Sequence, residues 1–110
     1  MHKLVRDKSP KLYKGREFRK ISNQDELNNL YHKKMIEEVA EIKDSDFLDC
    51  NEYADLIQVA ISCAEMNGIS AGHVLDAVMR KAKNRGVFSD LVMEDINPNK
   101  STNKIYFQDV

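Results

Sequence analysis

Apolar residues recur with a helical period over most of the chain, and three segments read as helices. The first spans roughly 23–43. Ser22 or Asn23 can cap it, Asn23 and Glu26 have the spacing of a capping box, and Asp25 and Glu26 suit the positive end of its dipole. The second spans about 47–67, where Gly68 is placed to stop it as the residue just past the helix. The third begins after Ser70, with Ile69 and Val74 spaced as a hydrophobic staple, and ends near Arg85, before Gly86. A segment broken by Pro10 and Gly15 precedes the first helix. After the third, residues 87–94 and 105–107 flank a turn-rich stretch and form either a short hairpin or an irregular trailing arm. The expectation is a single domain over 1–110 with an all-α fold. Its core would be a bundle of three main helices over about 23–86.

At about 100° per residue, Leu27, Tyr31, Met35, Val39 and Ile42 fall along one stripe of the first helix. Glu38 lies inside that stripe, Glu41 on its border beside Leu30, and Glu37 further round. On the second helix Glu52 continues a stripe made by Leu56, Val59, Cys63 and Met66, and Asp55 flanks it. A carboxylate within an apolar stripe is costly, because burial disfavours its charged form. Two readings follow: the acids lie on a solvated face, or they share a hard divalent cation. All-oxygen ligands favour Mg²⁺ or Mn²⁺ over zinc or iron. Neither acid pair carries the Glu-x-x-His of di-iron bundles, and His2, His32 and His73 are scattered.

Charge sharpens this picture. The formal net charge is −1, yet residues 1–20 carry a net of +6, residues 21–66 a net of −8 and residues 67–110 a net of +1. A uniformly basic nucleic-acid binder is thereby disfavoured, although the basic arm could still act locally, with strongly salt-dependent binding. On the third helix Lys81, Asn84 and Arg85 share one face. They complement the helix dipole there, or they clamp polyphosphate oxygens.

At 42% apolar, with four Gly and two Pro, the chain reads as an ordinary folded one. The longest apolar-rich stretch, 53–64, contains Asp55 and Gln58 and is too short and polar to span a bilayer. The opening MHKLVRDKSP has no apolar signal region, and Cys50 and Cys63 show no bridging pattern. A reducing, cytoplasmic location is expected.

Glu37-Glu38-Val39-Ala40-Glu41 followed by Glu52-Tyr53-Ala54-Asp55 resembles the EExxE…ExxD signature of the all-α nucleoside triphosphate pyrophosphohydrolases. That superfamily includes MazG, the dimeric dUTPases and phosphoribosyl-ATP pyrophosphohydrolase. Lys3-Leu4-Val5-Arg6-Asp7-Lys8-Ser9-Pro10 is similar to the KLVRDKIP opening of small phosphoribosyl-ATP-pyrophosphohydrolase-like members, with Ser9 in place of Ile. Lys81-Ala82-Lys83-Asn84-Arg85-Gly86-Val87-Phe88 is similar to their KKAEERGGF segment. The resemblance covers about residues 3–92. Ten residues separate Glu41 from Glu52, slightly fewer than is usual for the signature, which calls for a tight turn at 44–46.

The resemblance implies Mg²⁺-dependent cleavage of the α–β phosphoanhydride of a nucleotide, releasing a monophosphate and pyrophosphate. Glu38, Glu41, Glu52 and Asp55 match the metal-binding acids. Glu37 and Glu38 are the candidate catalytic acids, with the choice of general base open. Lys34, one turn before Glu38, and Lys81, Asn84 and Arg85 are the candidates for holding the nucleotide's phosphates. Arg6 and Lys8 reach this site only if the N-terminal arm folds across it. The family builds its sites within dimers or dimers of dimers. The second helix, apolar nearly all round, leaves surface for a homodimer to cover. The alternative is a helical interaction module of the same fold without turnover.

Overall fold

The computed structural model describes residues 3–94 and contains four helices and no strand among them. These are α1 (Ser9–Leu12), α2 (Gln24–Asp44), α3 (Cys50–Met66) and α4 (Ala71–Arg85). The all-α expectation holds. The chain divides after Ala71 into two compact units, the first holding α1 to α3 and the second nearly all of α4. Residues 87–94 are irregular, and 105–107 lie outside the described residues.

Each end of α2 has a stated cause. The Asn23 side chain accepts from the Glu26 backbone N–H at 3.0 Å, which satisfies one of the unpaired donors of the first turn. The Glu26 carboxylate takes a two-pronged bond from Arg19, at 2.7 and 3.1 Å. At the other end the Phe47 N–H donates to the Ile42 carbonyl and the Asp46 N–H to the Lys43 carbonyl, a Schellman reversal. Asp46 and Phe47 both have positive φ, 55° and 63°, so Asp46 takes the left-handed position usually given to glycine.

This reversal corrects the sequence-based boundary. The connection occupies residues 45–49 rather than 44–46, and α3 begins at Cys50 rather than near 47. Asp49 caps α3, accepting from the Asn51 N–H at 2.9 Å, and Tyr53 donates its hydroxyl to the Phe47 carbonyl at 3.0 Å. The far end of α3 closes as expected. Gly68 has φ 83°, and the N–H groups of Gly68 and Ile69 return to the carbonyls of Glu65 and Ala64.

α2 and α3 form an antiparallel hairpin. At its open end Asn67 exchanges amide hydrogen bonds with Asn28, and Gln24 donates to Asn67 and to the Met66 carbonyl. Leu30, Tyr31 and Ile42 are the buried apolar residues of α2, and burial pushes the Tyr31 hydroxyl up from its ordinary value. Val39, expected within the buried stripe, is instead 55% exposed, as is Ile36 to a similar degree. No residue of α3 is fully buried, and Ile57 is 57% exposed. Within this unit α2 covers only one side of a cylinder that is apolar nearly all round.

Candidate metal centre

Two i, i+3 acid pairs on antiparallel helices can converge only if the turn between them sets the register. The 45–49 reversal does so. Glu38 and Glu41 on α2 and Glu52 and Asp55 on α3 each offer a carboxylate oxygen, and these oxygens all lie within 4.8 Å of one another. All four acids matched by sequence thus meet in one place, despite the short interval between the pairs.

Glu38 is buried, 4% exposed, and the other three are half-buried. The Glu38 Oε2 and Glu52 Oε2 atoms are enclosed and accept no hydrogen bond. Such an oxygen has left water without receiving a partner, which is expensive for a carboxylate. Burial, followed by the nearby Glu41, pushes the Glu38 carboxyl above its ordinary value, against the pull of Lys34. The Glu41 carboxyl is raised too, foremost because its protonated form hydrogen-bonds to Glu52. Glu38 and Glu41 thus hold on to their protons through burial and through the neighbouring carboxyl groups.

Part of the counter-charge is present. Lys34, one turn before Glu38, places Nζ 3.4 Å from both Glu37 and Glu38. Glu37 lies beside the cluster and accepts from Lys3 at 3.1 Å, a bond that pulls its carboxyl below the ordinary value. Arg6 donates from Nη2 to Asp55 Oδ1 at 2.6 Å. The basic arm therefore does fold across the acids. It does so through Arg6 and Lys3; Lys8 instead precedes α1 as its exposed N-cap residue. Reading the sequence by helix periodicity missed Lys3, because the arm has no period. The signal available was the +6 arm facing a −8 segment.

Five carboxylates (Glu37, Glu38, Glu41, Glu52, Asp55) facing Lys3, Arg6 and Lys34 leave two formal negative charges. One divalent cation would balance them. An all-oxygen set with two enclosed, unbonded oxygens can hold a metal ion of the hard, oxygen-seeking kind. Lys81, Asn84 and Arg85 lie exposed along the last turns of α4 and belong to the second unit, whereas the acids, Lys34, Lys3 and Arg6 belong to the first.

No family model, curated protein or solved structure matches the chain. Among the described residues no helix is long and apolar enough to cross a membrane.

Proposed function

We propose that the protein is a Mg²⁺-dependent nucleotide pyrophosphohydrolase of the all-α type its motifs resemble. The observation that carries the reading is the convergence of the Glu38, Glu41, Glu52 and Asp55 oxygens, two of the acids having an enclosed oxygen with no other partner. These residues would hold Mg²⁺, or Mn²⁺ in its place. The ion would supply charge neutralisation and polarisation of the phosphoanhydride. The protein's share of the work is positioning. Lys34, fixed between Glu37 and Glu38, brings a half-buried ammonium to the edge of the site, where a phosphate oxygen is its natural ligand. Glu37, held beside the cluster by Lys3 and Lys34, would orient an attacking water through its carboxylate. The products would be a nucleoside monophosphate and pyrophosphate.

A second copy of the chain is the partner this reading calls for, as a homodimer or a dimer of dimers. The exposed apolar side chains of α2 and α3 (Ile36, Val39, Tyr53 and Ile57) favour it. Light scattering should give at least twice the 12.7 kDa chain mass; a monomer at micromolar concentration refutes this assembly. The competing reading, a helical interaction module without turnover, draws on the same exposed side chains.

Incubation with Mg²⁺ and a panel of nucleoside triphosphates, with pyrophosphate release as readout, tests the proposal. Turnover that is abolished by EDTA and by Asp55→Asn supports it. No pyrophosphate from any nucleotide, phosphoribosyl-ATP included, favours the interaction module.

A further inference from the structure

The N-terminal arm meets the acids in a way that metal binding alone does not require. Arg6 uses one nitrogen of its fork on one oxygen of Asp55, and its side chain is otherwise 65% exposed. Lys3 likewise touches Glu37 by its tip. Exposed ion pairs of this kind contribute little to stability, so little opposes their exchange for a better partner. The backbone behind Arg6 is held more firmly. Its carbonyl accepts from the Ser9 N–H at 3.0 Å, Ser9 is buried, and α1 follows directly. The root of the side chain stays beside the acids while the tip is free to turn.

Charge then dictates a sequence of preferences. Arg6 and a cation held by the four acids compete for the same Asp55 carboxylate. With the residual charge of the acids matched by one divalent cation, an incoming polyphosphate adds several negative charges that need new counterions. A guanidinium presents paired donors that fit two phosphate oxygens at once, a better match than its single bond to Asp55. We propose that Arg6, supported by Lys3, is a phosphate-binding residue of this site, exchanging Asp55 for the anionic part of the substrate when a divalent cation takes the carboxylate. This rests on the metal-centre reading above and assigns to the +6 arm a role beyond solvation.

Calorimetry on the full chain tests it, with Mg²⁺ alone as one titrant and inorganic triphosphate in saturating Mg²⁺ as the other. Arg6→Ala should bind Mg²⁺ alone at least as tightly as the parent, since a competitor for Asp55 is gone. It should bind triphosphate about tenfold more weakly, the effect of one lost charged hydrogen bond. Arg6→Lys keeps the charge but not the fork and should fall between. Lys11→Ala, an exposed cation of the same arm, should change neither constant. Circular dichroism identical to the parent confirms that each variant is folded.

The exchange is overturned if Arg6→Ala leaves triphosphate binding unchanged or weakens Mg²⁺ binding. It is equally overturned if Lys11→Ala matches Arg6→Ala in both titrations, which would mean a long-range charge effect. In each of these cases parental Mg²⁺ binding leaves the metal centre standing. If neither the parent nor Arg6→Ala binds Mg²⁺, the metal centre itself is refuted, and the exchange with it.

Discussion

Glu38→Gln separates the stability of the acid cluster from its function. Unit charges 4.8 Å apart repel by about 3 kcal/mol at an effective dielectric of about 20. Glu38 takes part in three such pairs, with Glu41, Glu52 and Asp55. Against them stands its attraction to Lys34 at 3.4 Å. Water screens the half-buried partners, Arg6 offsets Asp55, and proton uptake by Glu38 limits the cost further, so most of the raw repulsion is not expressed. A net gain of about 1–2 kcal/mol on removing the charge is a reasonable remainder. In EDTA the Gln variant should therefore melt roughly 4–16 °C above the parent, at about 4–8 °C per kcal/mol for a domain of this size.

With Mg²⁺ the order should reverse. Saturation at a hundredfold excess over Kd stabilises the parent by about 2.7 kcal/mol, whereas the variant offers a neutral amide oxygen in place of one of the four carboxylates and gains little. Differential scanning fluorimetry with and without Mg²⁺ reads both effects. A variant that melts below the parent in EDTA, and that Mg²⁺ stabilises equally, would refute the view that Glu38 is a repelled ligand.

Three further outcomes follow from the same structure. Glu38 and Glu41 hold protons more tightly in the folded chain than the ordinary glutamate value of 4.5, so in EDTA the cluster's contribution to stability rises as pH falls from neutral toward that value. Glu37, pulled below 4.5 by Lys3, contributes stability that is present above 4.5 and lost as pH falls through its lowered value. Denaturant melts of parent and Glu38→Gln across this range check both signs; equal slopes in the two proteins above 4.5 would assign the slope to other groups. Gly68→Ala should cost about 1–2 kcal/mol in chemical denaturation, because a Cβ there meets no atom within 4 Å and only the φ of 83° penalises it. Asp46→Gly should stabilise by about 0.5–1 kcal/mol by relieving the left-handed position, provided the reversal keeps its two backbone bonds.

The helices were legible because their signals are local. Asn23 caps α2 and Gly68 closes α3 as their residue types dictate, and the wheel placed Glu38 in one stripe with Tyr31 and Ile42, all three of which are buried. The start of α3 was misread because the reversal that delays it uses Asp46 and Phe47 where a sequence reader looks for glycine. Val39 was misplaced for a different reason. Helix periodicity identifies an apolar face, while the neighbour available to cover it is a property of tertiary structure. The four acids could be named from spacing and resemblance, but their convergence depended on a turn that neither specified. Arg6 and Lys3 lie in a segment without period, where only charge imbalance hinted at a docking place.

The amide cluster of Gln24, Asn28 and Asn67 lies at the opposite end of the hairpin from the acids. Apolar side chains tolerate sliding, and few of those between α2 and α3 are fully buried. Carboxamides do not tolerate it, since each donor must face an acceptor. Slipping α3 by one residue would shift Glu52 and Asp55 by about 1.5 Å and turn them by about 100°, and would simultaneously unpair Asn67. The cluster thus acts as a ruler laid at one end of the hairpin, fixing the phase at which the two acid pairs face each other at the other end.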